Sequence, residues 1–103
     1  MSSAKTIAFL AISLAIAVLG CVSQEGDQAK AACIALCRSA LSNGQDLSSG
    51  PCLSNNITQG YVCDVAHSPR QDVDNLPRNQ CPAYGPGKHF VEVDLGCNFI
   101  RVG

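Results

Sequence analysis

The side chains with chemistry to offer in this chain are its cysteines, two histidines and a scatter of acids. Beyond Cys21 the cysteines fall at Cys33, Cys37, Cys52, Cys63, Cys81 and Cys97. At this density thiols either hold a metal or close disulfides. Structural zinc sites place closely spaced cysteine pairs on both halves of the site, and only Cys33 and Cys37 are so spaced. The set therefore reads as a disulfide framework, with no metal and no cofactor expected. A second group comprises Asp64, His67, Asp72 and Asp74, with His89, Glu92 and Asp94 nearer the C-terminus. Brought together by a fold, such groups bind a hard cation or carry acid–base chemistry. Asp72-Val73-Asp74-Asn75 is only a fragment of a calcium loop, lacking its Gly and distal Glu, so solvated turn charges are the favoured reading. No G-x-S-x-G turn is present, and a domain this small has little room for a deep preorganised pocket, so an enzyme is not expected. Asn56-Ile57-Thr58 matches the N-glycosylation sequon, with a turn asparagine as the plainer reading.

The N-terminus sets the compartment. Lys5 precedes the uncharged run IAFLAISLAIAVLG, residues 7–20, which ends at Gly20-Cys21. A basic start, an apolar stretch and small residues at the junction describe a secretory signal. The run is shorter than the ~20 residues that span a bilayer comfortably. Val18-Leu19-Gly20-Cys21 resembles the lipobox of prokaryotic lipoproteins. That resemblance implies cleavage before Cys21 and attachment of a diacylglycerol to its thiol, hence a membrane partner reached through lipid. The alternatives are ordinary signal cleavage after Ser23 and an uncleaved anchor. Removing Cys21 from the fold by either processing route leaves an even set of six cysteines, as a disulfide framework in an oxidising compartment requires.

Composition narrows the function classes. The chain carries 7 Lys and Arg against 8 Asp and Glu, a net charge of −1, and the basic residues form no cluster. Nucleic-acid binders need a positive patch because phosphate contacts dominate their affinity, so no nucleic-acid partner is expected. Hydrophobic residues make up 47% of the chain, a share inflated by the apolar leader, and there is no Trp. A core this modest supplies only about 3–5 kcal/mol, so covalent staples are expected.

The elements that must position these residues follow from periodicity and turn signals. Residues 1–20 are the signal, 21–27 a polar tether, and 28–103 a single small domain. A helix is expected over residues 28–42, capped by Asp27 and stopped by Asn43-Gly44. Its apolar stripe is Ala29, Ala32, Cys33, Leu36, Cys37, Ala40 and Leu41. Cys33 and Cys37 then share one face with roughly parallel side chains, so each should reach a different partner. Of the 15 connectivities open to six cysteines, the one favoured here is Cys37–Cys52, Cys63–Cys81 and Cys33–Cys97. Residues 44–56 read as loop, 61–65 as a short strand, and 89–94 and 97–102 as two strands joined through Leu95-Gly96. Residues 67–87 hold four of the 5 prolines and read as a long irregular segment.

The expected fold is α+β: one N-terminal helix packed on a small antiparallel sheet, disulfide-stapled and rich in loops. The expected role is a binding or structural module at the cell envelope, with a protein partner there. The alternative is a freely secreted effector, inhibitor or toxin-like protein, and a third option is a small metal-dependent enzyme using His67 and His89. Long loops in compact domains are commonly functional, so the binding surface is expected on residues 67–87. Arg70, Arg78 and Tyr84, types that often anchor interfaces, are its candidate contacts.

Overall fold

The computed structural model describes residues 24–103; the apolar leader, the lipobox-like junction and Cys21 lie outside them. Helix α1 spans Gln24–Ser42, and strands β1 to β4 span Cys52–Thr58, Tyr61–Val65, His89–Val93 and Phe99–Val102. Two short 3-10 turns, η1 (Asp72–Asn75) and η2 (Pro77–Asn79), sit in the long connection between β2 and β3. The fold is the expected α+β arrangement of one helix on a disulfide-stapled sheet, with three differences in detail.

First, α1 begins at Gln24, so residues 24–27 are helical rather than part of a tether. Glu25 and Asp27 lie in its first turn, where negative charge is favourable against the helix dipole. The helix ends as its sequence requires: Gly44 takes φ +80° and Gln45 N–H donates to the Ala40 carbonyl at 3.0 Å. Its inward face is Ala29, Cys33, Cys37 and Ala40, while Leu41 is exposed.

Second, residues 52–58 form a strand, although residues 52–56 were expected as part of a loop. The sequence CLSNNIT is polar at its centre, and β1 survives as an edge strand, with register irregularities on either side of Ser54 in its antiparallel pairing with β2. An edge strand can keep Asn55 and Asn56 in water while its backbone pairs on one side only.

Third, the sheet is mixed rather than antiparallel. Its order is β1-β2-β3-β4, and β2 runs parallel to β3, with Asp64 opposite Glu92 and Val65 opposite Val93. A parallel neighbour needs a crossover of a dozen or more residues, usually helical; here the irregular segment between Val65 and His89 serves. β3 and β4 then pair antiparallel, with Glu92 opposite Arg101. Their turn is closed by Asp94, whose Oδ1 accepts from the N–H groups of Gly96 (3.0 Å) and Asn98 (2.8 Å). Cys97, not Gly96, takes the positive φ, at 67°.

Strand alternation gives the sheet two unlike faces. Cys63, Val65, Val91 and Val93 point toward α1 and, with Ala29, Cys33, Cys37, Leu47 and Cys97, make the core. Val62, Asp64, Phe90, Glu92 and Arg101 point the other way, toward residues 67–87.

The bridges correct the expected pairing. They are Cys33–Cys63, Cys37–Cys97 and Cys52–Cys81. Cys33 and Cys37 do reach different partners, as the shared helix face demanded. Which partners they reach depends on the sheet: Cys63 of β2 points up at the helix and meets Cys33, and Cys97 in the β3–β4 turn meets Cys37. Cys52 lies opposite Asp64, on the face turned away from α1, and so meets Cys81 of the crossover segment.

Candidate functional site

A cleft of about 370 Å³ opens between the sheet face turned away from α1 and the crossover segment. Its floor comes from alternate positions on three adjacent strands: Val62 and Asp64 of β2, Phe90 and Glu92 of β3, and Arg101 of β4. The register places Asp64, Glu92 and Arg101 in one row across the sheet. The wall comes from the segment, through Arg70, Gln80, Cys81 and Tyr84. Cys81 is tied to Cys52, so a disulfide pins the wall to the sheet edge.

The wall is held from within by Asp74, whose side chain is sealed from solvent. Its Oδ2 accepts from the backbone N–H of Gln71 at 2.8 Å and of His67 at 3.0 Å, and His67 Nδ1 lies 3.0 Å from Oδ1. Burial by itself raises the Asp74 carboxyl, but the hydrogen bonds from Gln71 and His67 outweigh it and hold the group below its ordinary value. The Asp74 carbonyl accepts from Arg70 Nη2 at 3.2 Å and from the Gln80 side chain. Gly50 backs this hub with φ +68°; a Cβ there would collide with Asp74 Oδ1 and press on the Val65 carbonyl.

Arg70 is thereby aimed across the cleft. Its Nε donates to Asn75 Oδ1 and its Nη1 to Glu92 Oε2, both at 2.7 Å. Glu92 Oε1 faces Arg101 Nε at 3.3 Å, so the buried Glu92 carboxylate is bracketed by two guanidinium groups. Arg101 also lies over the Phe90 ring, 5.1 Å from its centroid, and Tyr84 packs edge-on against the same ring at 5.5 Å. Asp64 is treated differently. It is 8% exposed, and its Oδ1 has no hydrogen-bond partner among the described residues. Burial, reinforced by the Glu92 charge and only partly offset by Arg70, pushes its carboxyl up to about 7.

Of the expected contacts, Arg70 and Tyr84 meet in this cleft, while Arg78 is exposed on η2 outside it. The acid and histidine group is split: Asp64 and Glu92 meet in the cleft, and the others lie elsewhere. His67 pairs with Asp74, Asp94 closes the β3–β4 turn, and His89 stacks on Tyr61 at 4.9 Å elsewhere on the surface. Among the described residues no cluster of three or more His, Cys, Asp or Glu is placed to hold a metal. Asn56 is exposed on β1, where a glycan would meet no packing. Tyr84, Phe90 and Arg101 were not readable as one wall from sequence; the only signal was the alternation that puts Phe90 and Glu92 on one side of β3. No family model matches the chain, nor does any curated protein or solved structure.

Three disulfides mark residues 24–103 as a small disulfide-rich, extracytoplasmic domain. Among the described residues no helix is long and apolar enough to cross a membrane.

Proposed function

We propose that this chain is an exported binding module of the cell envelope, tethered by a lipid on Cys21, which takes its ligand in the cleft between the sheet and residues 67–87. The observation that carries the binding reading is Asp64: a buried carboxylate at the cleft floor with an oxygen left unpaired. Unsatisfied buried acceptors are costly and rare in native domains, and the carboxylate that carries this one lines the opening through which a donor would arrive. Around it the cleft joins an aromatic wall to a few fixed polar groups, the usual make-up of a ligand site.

The tether rests on the lipobox-like junction. One acyl chain binds membranes marginally whereas two hold stably, so a diacylated Cys21 keeps the domain at the surface. Mass spectrometry of the native N-terminal peptide tests this part: a lipid-modified Cys21 at the mature N-terminus is expected. An unmodified Cys21, or a mature terminus at Gln24, overturns it and leaves the freely secreted alternative. An NMR fragment screen on the oxidised protein tests the cleft. Shifts should gather on Val62, Phe90, Tyr84 and Arg101, and hits that gather elsewhere overturn the cleft as the site.

A further inference from the structure

The hydrogen-bonding capacity left unspent in the cleft has a definite sign at each end. Glu92 is consumed by its two arginines. Arg70 is consumed by Glu92, Asn75 and the Asp74 carbonyl. At the floor there remains the Asp64 carboxylate, which lines the cleft and whose inner oxygen Oδ1 is unpaired. At the rim there remain the outer nitrogens of Arg101, whose side chain is 60% exposed and engages Glu92 through Nε alone. An acceptor deep and donors at the rim, flanking a wall of Val62, Phe90 and Tyr84, call for a ligand of opposite polarity end to end.

We infer that the cleft binds a small zwitterion of the amino-acid type, its ammonium on the Asp64 carboxylate, its carboxylate on the Arg101 guanidinium and its apolar part against Phe90 and Tyr84. This rests on the cleft being the binding site. The row Asp64–Glu92–Arg101 sets the span. Backbones at the two ends of that row are two strand spacings apart, about 10 Å, a span on the scale of a small molecule. A simple cation would fill the place at Asp64 but leave the outer nitrogens of Arg101 without a partner. A simple anion would meet Arg101 but leave Asp64 Oδ1 orphaned beside Glu92. A neutral apolar ligand would seal the unpaired oxygen deeper, raising the desolvation penalty.

The arrangement makes binding depend on pH. The groups facing Asp64 are Glu92 of β3, Arg70 and Asp74 of the crossover segment, and Arg101 at the end of the row. Only ionised Asp64 accepts an ammonium as a full ion pair. With its carboxyl at about 7, roughly one molecule in ten is competent at pH 6 and nine in ten at pH 8, so apparent affinity should rise about tenfold between them.

The test is calorimetric or NMR titration of the oxidised, full-length mature protein at pH 6 and pH 8. The probes are L-leucine and 4-aminobutanoate, set against 3-methylbutylamine, 4-methylpentanoate and L-leucinamide. At least one zwitterion should bind tenfold or more tighter than each of the three others, and tighter at pH 8 than at pH 6. Asp64→Asn, which keeps the shape and removes the charge, should abolish the pH dependence and weaken the zwitterion tenfold or more. Arg101→Gln should erase the preference of L-leucine over 3-methylbutylamine. Equal binding of the amine or of L-leucinamide makes this a cation or chain-terminus site and overturns the inference, as does unchanged affinity in Asp64→Asn. If fragments occupy the cleft but no zwitterion competes with them, the inference falls while the cleft remains the binding site.

Discussion

Asp64 and Asp74 are both buried carboxyls, and their surroundings move them in opposite directions. Asp74 is met by N–H donors and held below its ordinary value; it therefore stabilises the fold above the unfolded carboxyl's pKa, and that contribution is lost as pH falls below it. Asp64 is met by an acid and an apolar floor and is raised to about 7, so its protonated form is favoured in the fold. That contribution is complete below the ordinary value of 3.8 and is lost as pH rises through about 7. The domain should thus be most stable near pH 4, losing stability progressively from there to about pH 7 and levelling off above it. Circular-dichroism melts from pH 3 to pH 9 should show a fall on both sides. Asp64→Asn should flatten the alkaline side and melt above the parent at pH 8; a parent curve that rises through neutrality contradicts the assignment. Asp74→Ala strands the part-buried backbone donors of His67 and Gln71, a loss of about 1–3 kcal/mol by urea unfolding. Gly50→Ala should cost about 2–4 kcal/mol by the same measurement, since it forces a side chain into a left-handed backbone and against Asp74. Neither Asp64 nor Asp74 could be singled out from sequence. Both belonged to a scatter of acids, and what separates them is which donors the crossover segment brings within reach.

At the scale of elements, the bridges divide the labour. Cys33–Cys63 and Cys37–Cys97 fasten α1 to the sheet, whereas Cys52–Cys81 fastens the crossover segment to β1. Closing its sequence separation of 29 residues removes chain entropy worth about 3–4 kcal/mol. Replacing Cys52 and Cys81 together by serine should therefore open the cleft wall and leave the helix–sheet core in place. Hydrogen exchange should quicken across residues 67–87 while amides of α1 and β3 keep their protection; uniform quickening would mean that the segment is integral to the core. Periodicity made α1, β2, β3 and β4 legible, because each carries an apolar face with its own repeat. It failed for β1, where Ser54, Asn55 and Asn56 look like a loop and pairing with β2 overrides their preference. It also failed for strand direction: nothing in Tyr61–Val65 or His89–Val93 tells parallel from antiparallel. That unknown bears on the cleft, since the parallel register observed is what sets Asp64 beside Glu92.

At the scale of the whole molecule, the core is built of small parts. Its largest fully buried apolar side chains are Val62, Val65, Val91 and Val93, and four of the cysteines sit among the most buried residues. Burying a valine completely is worth about 1.5–3 kcal/mol, and a handful of them barely offsets the entropy of ordering an irregular segment this long. Each bridge adds about 3–4 kcal/mol by the same chain-entropy reasoning, the longest spanning 60 residues. The crosslinks together therefore exceed the 3–5 kcal/mol that a core of this size supplies. Fully reduced protein should show no cooperative melt at 25 °C, and reoxidation should restore it with no free thiol among Cys33, Cys37, Cys52, Cys63, Cys81 and Cys97. A reduced domain that keeps its transition would place the stability in the valine core instead. The dependence also reaches the cleft: its wall hangs from Cys81, so a reducing compartment would dismantle it, and an oxidising address is a condition of the proposed site.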